Sequence, residues 1–356
     1  MRTAVRLLAI AAVFLSAATL AGQTPQRTAA PAASGTRVYV TDETGTEVVI
    51  VDPDSGKVLD KLKVGKRPRG IKVSHDGTKL FVALSGSPIG GPNVDEKSLP
   101  PADRSADGIG VIDLATHKLI RNYKSGDDPE SFDISPDDKT LYVSNEDGGE
   151  MSILDLASAK VTGRVKVGEE PEGVTVRPGG REVYVTSEGD NAIAIVSPAT
   201  QKVIAKVETP PRPRGIVFTK NGTTAFVSCE VGGAVVVIDA ATHKITNTIK
   251  FPAAPLPGTP RPMGLALSPD GKELLVSLGR AGSIGVIDVT AGKVARTITG
   301  VGTRPWGIAL SPDGKKLYTA NGPSGDLSVV DVASGKVERK IATGGSPWGI
   351  AVAAAR

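Results

Sequence analysis

The sequence predicts an all-β fold, a seven-bladed β-propeller with four antiparallel strands per blade. Three observations carry this. A Pro-x-Gly-Ile motif recurs along the chain, a Ser-Pro-Asp-Gly-Lys turn recurs at a fixed offset behind it, and Gly and Pro are abundant (42 and 26 of 356 residues) without any collagen-like period. The Pro-x-Gly copies begin at Pro68, Pro171, Pro213, Pro262, Pro305 and Pro347, with a variant, Pro129-Glu130-Ser131, that has Ser in place of Gly. Counted from Gly70 through Ser131 to Gly349, the intervals are 61, 42, 42, 49, 43 and 42 residues. A repeat of about 42 residues holding four short strands is a propeller blade.

Each strand has a local reason. Strand one follows Pro-x-Gly, as in Gly307-Ile308-Ala309-Leu310. Strand two is the Leu141-Tyr142-Val143-Ser144-Asn145 type, and Pro-Asp-Gly supplies the tight turn before it because Pro presets φ and Gly accepts φ > 0. Strand three is the Val111-Ile112-Asp113 type, and strand four follows Lys118 and its equivalents. The Asp that ends strand three (Asp52, Asp113, Asp155, Asp239, Asp288, Asp331; Ser197 in the remaining copy) is expected to accept hydrogen bonds from its own downstream backbone. The repeats start at strand two (Arg37–Val40) and end at strand one (Gly349–Val352). The last strand must therefore complete the first blade, closing the ring and removing its exposed edges.

Residues 1–22 have the layout of a secretory signal peptide: basic Arg2 and Arg6, an apolar Leu7–Leu20 core, and small residues at Ala21-Gly22 for cleavage. This stretch of fourteen residues, apolar except for Ser16 and Thr19, is too short to span a bilayer. Residues 23–35 read as a flexible linker and 36–353 as the propeller. The mature chain is expected to be periplasmic or secreted and monomeric, with no membrane span. The 42 Lys+Arg face 38 Asp+Glu, and losing Arg2 and Arg6 halves the formal net charge of +4. So small an excess does not describe a nucleic-acid binder.

The strand-two segments Leu141–Asn145, Val183–Ser187 and Val38–Asp42, taken with Ser-Pro-Asp-Gly-Lys and Pro-x-Gly-Ile, resemble the YVTN β-propeller repeat family across residues 36–353. Lys66–Ile71 and the long insert in blade two also resemble a narrower group of exported propellers associated with catabolism by pyrroloquinoline-quinone (PQQ) dependent alcohol dehydrogenases. The resemblance implies an accessory role beside a periplasmic redox or transport protein.

The one–two and three–four turns share one face and are stereotyped. The two–three and four–one loops share the other, top face, which holds the irregular segments: the insert 85–108 in the blade-two top loop, and Pro252–Pro262. Long loops on a rigid scaffold are where binding concentrates. The residue between Pro and Gly in successive blades is Arg69, Glu130, Glu172, Arg214, Met263, Trp306 and Trp348, expected to ring the channel mouth and to hold a small anionic or aromatic ligand. Inter-blade packing and mutual salt bridges are the bland alternative. A cation–π contact between Arg69 and Trp348 is expected from their cyclic adjacency. Glu43, Glu146, Glu188 and Glu230 recur after strand two and are weak candidates for oxygen ligation of Ca²⁺ or Mg²⁺. No cofactor is otherwise indicated. Asp127, Asp128, Glu169 and Glu170 add acidity on which a basic partner protein could dock.

Several chemistries are absent from the sequence. There is no H-E-x-x-H, G-x-S-x-G, S-x-x-K or phosphate loop. His75, His117 and His243 fall in stereotyped turns of different blades. Cys229 is the sole cysteine, so there is neither a disulfide nor a multi-cysteine metal site. Three readings remain. The first is a non-enzymatic propeller that binds a small molecule or partner protein at the mouth. The second is a lactonase-like hydrolase acting at the same mouth, with glutamates as bases or metal ligands and Arg69 and Arg214 holding a carboxylate. The third is a structural surface protein.

Overall fold

The computed structural model describes residues 35–90, 98–252 and 255–355. The expected signal peptide and nearly all of the linker lie outside these residues, as does part of the 85–108 insert. Among the described residues, twenty-eight strands, β1–β28, form seven four-stranded antiparallel sheets. Blade one pairs β28 (Pro347–Ala354), β1 (Thr36–Asp42), β2 (Glu47–Asp52) and β3 (Lys57–Lys63); the others follow in chain order, from blade two, β4 (Pro68–Val73) to β7 (Lys118–Tyr123), to blade seven, β24 (Pro305–Leu310) to β27 (Lys336–Ala342). This is the predicted seven-bladed propeller. No helix among the described residues is long and apolar enough to cross a membrane.

Closure occurs as expected. β28 (Pro347–Ala354) pairs antiparallel with β1 (Thr36–Asp42), from Thr36 opposite Ala354 to Asp42 opposite Pro347. The apolar alternation of the inner three strands builds seven separate cores, one at each blade-to-blade contact. Tyr39, Ile50 and Leu80 fill the contact of blades one and two, and Val38, Tyr318 and Leu327 that of seven and one. The outermost strands carry the polar surface, as in Lys336–Ala342, where only Ile341 is buried.

The turns also follow their sequence. Asp239 accepts the backbone N–H groups of Ala241 and Thr242, and Asp52 those of Asp54 and Ser55. His117 and His243 are left-handed turn residues at φ 53° and 55°. His75 Nδ1 lies 2.7 Å from Asp138 in the next blade, and His243 Nε2 lies 3.2 Å from Glu182. Cys229 is buried, and burial pushes its thiol up to about 12. Blade six departs from the pattern: its strand one contracts to Leu265–Leu267, so Pro262-Met263-Gly264 precedes the strand, and Gly279–Ala281 form one turn of 3-10 helix in its top loop.

Candidate functional site

The glycine of Pro-x-Gly is set by the ring itself. A Cβ on Gly307 would lie 2.6 Å from the Trp348 carbonyl oxygen, one on Gly264 2.5 Å from that of Trp306, and one on Gly349 2.5 Å from that of Arg69. In the six blades that carry the glycine, the motif thus abuts the carbonyl of its own middle residue in the next blade, at a distance no Cβ permits; blade three has Ser131 at this point. A hydroxyl on strand two ties the same point. Ser277 Oγ accepts the Gly264 N–H and donates to Trp306 O, and Thr186 does so between Gly173 and Arg214. Thr41, Ser144 and Ser228 donate equivalently to Arg69, Glu172 and Met263. These hydroxyls hold the mouth residues at one level, and sequence reasoning missed them. Their signal was present: Ser or Thr recurs at one offset in five strand-two segments, with Ala83 and Ala320 in the other two.

The structure brings the seven predicted residues together, but in two unlike arcs. On blades two to five they form an ionic network. Arg69 is 2% exposed and directs its guanidinium to Asp128 (2.5 Å), to Glu146 (3.3 Å), to the Pro129 carbonyl (3.1 Å) and to Glu130. Arg214 meets Glu172, Glu188 (3.1 Å) and Glu230 (3.1 Å). On blades six, seven and one, Met263 is buried and the Trp306 and Trp348 rings stack at 6.3 Å with 23° between planes.

The expected contact of Arg69 with Trp348 is not what forms. Arg69 turns to the carboxylates of blade three, because a guanidinium this buried gains more from opposite charges than from a ring face. The arginines over aromatic rings at the mouth are Arg304, 4.4 Å from the Trp306 centroid, and Arg214, 6.0 Å from it.

Arg67, Asp128, Glu170, Arg212 and Arg304, each directly before a motif proline, form a second charged tier. All five have left-handed φ between 42° and 59°, a conformation disfavoured for residues with a Cβ. Its signal was the recurrent charge before proline. Arg67 hydrogen-bonds Glu43 and lies 3.9 Å from Asp128; Arg212 pairs with Glu188 and, at 3.8 Å, with Glu230. The four glutamates suggested for a divalent cation therefore each stand beside an arginine. No group of three or more His, Cys, Asp or Glu able to hold a metal ion is found among the described residues.

Two carboxyls at the mouth hold their protons unusually firmly. Burial raises Glu130 well above the ordinary carboxylate range, and the charges of Glu172 and Glu146 add to the rise against the opposing pull of Arg69. Burial and then Glu172 push Glu146 up to about 7, with Arg69 and Arg67 opposing. The Glu146 side chain remains 27% exposed, so it is both poised and accessible. The stem of the insert is fastened beside it. Arg104 pairs with Asp147 and Asp107, Ser87 donates to Asp147, and Ser85 donates to Asp128 at 2.5 Å.

Residues 174–352 match the family described as Lactonase, 7-bladed beta-propeller, and residues 93–179 match that described as YNCE-like beta-propeller. No curated protein matches the sequence. Solved structures with the same architecture include hydrazine synthase of Kuenenia stuttgartiensis (20% identity, TM-score 0.70, 88% of this chain and 99% of that one). The periplasmic gluconolactonase of Pseudomonas aeruginosa is similar at 21% identity and a TM-score of 0.71, covering 90% and 99% of the two chains. A protein of unknown function from Desulfotomaculum acetoxidans is similar at 16% identity and a TM-score of 0.72, covering 89% and 98%. At these identities the solved structures share the fold and no more. The family match spans half of the sequence, and the chain belongs to the seven-bladed β-propeller Lactonase family.

Proposed function

We propose that the protein hydrolyses a lactone at the top mouth of the propeller, with Glu146 as general base. The observation that carries this reading is the Glu146 carboxyl, pushed up to about 7, partly exposed, and held by Arg69 at 3.3 Å. A base whose pKa matches the working pH combines the right protonation state with a useful driving force for proton transfer. Glu146 takes a proton from a water that attacks the lactone carbonyl carbon, and the carbonyl π electrons move onto oxygen. Arg67, on the adjacent rim, faces the developing oxyanion. The tetrahedral intermediate collapses, the ring C–O bond breaks, and the leaving alkoxide receives the proton from Glu146. The product is an open hydroxy acid. Arg69 does not reach the substrate and acts as a positioning residue.

The test is hydrolysis of a panel of aldono- and alkyl lactones followed by acid release. Loss of hydrolysis in Glu146→Gln, with an unchanged circular dichroism spectrum and melting transition, supports the assignment. A wild-type protein inert toward the whole panel overturns it.

A second reading is favoured by the pairing of nearly every mouth charge on blades two to five. In it the protein is a non-catalytic, exported binding propeller whose ligand packs on Trp306 and Trp348, accessory to PQQ-dependent alcohol catabolism or transport. Saturable ligand binding lost in a Trp306→Ala, Trp348→Ala variant, without turnover, supports it. Unchanged affinity removes both residues from the site.

A further inference from the structure

Around the mouth, Arg67, Arg69, Arg212 and Arg214 each have a carboxylate within ion-pair distance. Arg261, Arg280 and Arg304 have none among the described residues. Arg280 and Arg304 meet where blades six and seven join on the top face, and Arg261 lies in the loop that leads into blade six. A cavity of about 350 Å³ opens there, lined by Arg280, Arg304 and Thr303, by the backbone of Gly282 and Gly302, and by Pro257 and Pro323. That volume suits a small ligand.

Four further observations concern its surroundings. Arg304 is held at φ 53° directly before Pro305, with its guanidinium on the Trp306 ring at 4.4 Å. The Nε of Arg261 is buried without a hydrogen-bond partner among the described residues. The Arg261 backbone packs against Gly279, the first residue of the single 3-10 turn that carries Arg280. Arg304 also holds its proton less firmly than a free arginine, first through burial and then through the positive charges of Arg280 and Arg214, against an opposing pull from Glu230. A like charge beside a half-buried guanidinium disfavours its charged form, and a bound anion would favour it.

We propose that the cavity between blades six and seven binds a dianionic oxyanion group, phosphate-like in charge and size, between the guanidinium groups of Arg280 and Arg304. Two guanidinium groups with no carboxylate at ion-pair distance among the described residues match a dianion better than a single carboxylate, and the planar guanidinium fork suits oxyanions with two adjacent oxygens. Thr303 adds a hydroxyl on the same wall. The site is separate from Glu146, and the proposal does not rest on lactone hydrolysis.

Arg304, which lines the cavity, lies on the Trp306 ring, and Trp306 stacks on Trp348, so intrinsic fluorescence is a readout of occupancy through Arg304. The intact protein is titrated at constant ionic strength with inorganic phosphate, sulfate, a phosphate monoester (glycerol 2-phosphate) and acetate, with calorimetry in parallel. A saturable response to phosphate and sulfate is expected, at least about tenfold tighter than any response to acetate. Arg280→Gln and Arg304→Gln should each weaken phosphate binding by about tenfold or more, the usual consequence of losing one charge-assisted contact. Arg296→Gln, whose residue pairs with Glu273 on the stereotyped face, should leave it unchanged. Tighter binding of the monoester assigns the site to a phosphorylated ligand, and tighter binding of inorganic phosphate to the free ion; both support the proposal. Arg280 makes no contact with either indole, so its variant keeps the optical readout interpretable. No saturable response by either method, acetate binding as tightly as phosphate, or phosphate binding undiminished in both variants would overturn the proposal.

Discussion

The hydroxyl of Thr41, on strand two of blade one, donates to the backbone carbonyl of Arg69 in blade two at 2.8 Å while accepting the Gly349 N–H at 2.8 Å. One oxygen thus joins the first blade, the last strand of the chain and the innermost strand of the next blade. Ser228 does the same between Gly215 and Met263. Ser228→Ala should destabilise the fold by about 1–3 kcal/mol, because the buried Met263 carbonyl loses its partner. Denaturant unfolding reads this as a lower midpoint at constant slope.

Gly307→Ala should be costlier than its size suggests. The added methyl would sit 2.6 Å from the Trp348 carbonyl oxygen, and the obstacle is backbone in the neighbouring blade. A loss of about 1–3 kcal/mol is expected from overpacking, with Trp fluorescence altered in the folded state because both indoles adjoin the displaced carbonyl. A melting temperature and spectrum equal to wild type would contradict the inter-blade contact.

Removal of residues 346–356 takes away β28 and leaves β1 as an open edge. Cooperative unfolding should be lost and self-association gained. A truncated chain with the wild-type melting transition, monitored by calorimetry, would count against closure by this strand.

Replacing Arg69 by Met should be strongly destabilising, by about 3–5 kcal/mol, because Glu130 is left buried without its counter-charge and Asp128 keeps only Arg67, at 3.9 Å. Glu130 can take up a proton to limit the cost, so the deficit should shrink as pH is lowered. Unfolding curves at two pH values check both parts.

Glu146 makes a prediction whose sign is opposite to that of an ordinary salt-bridged carboxylate. Its pKa rises from 4.5 to about 7 on folding, so the folded state holds the proton more tightly. Its stabilising contribution is complete below pH 4.5 and is lost as pH rises through about 7. Glu146→Gln should therefore raise stability relative to wild type at pH 8 and have little effect at pH 4. In the wild type, lactone hydrolysis should rise through about pH 7 as the base loses its proton, and a pH–rate profile tests this independently of stability.

The architecture was legible in the chain because a propeller is local. Each blade is a four-stranded meander whose turns are written in Pro-Asp-Gly and in the Asp that closes strand three, and the period of about 42 residues counts the blades. The level of the mouth residues was legible for the same reason, since Pro-x-Gly marks one topological position in every repeat. Their partners were not, because each partner comes from another blade. Arg69 and Trp348 are cyclic neighbours, yet the guanidinium follows Asp128 and Glu130. Arg214, on blade five, lies 6.0 Å from the ring centroid of Trp306 on blade seven. The sequence by itself determined the repeat, the number of blades and which residues reach the mouth. Only the tertiary structure decided which charges neutralise one another, which arginines remain unpaired and where a carboxyl is pushed near neutrality. Those outcomes depend on burial and on distances between residues tens of positions apart, and no local pattern records them.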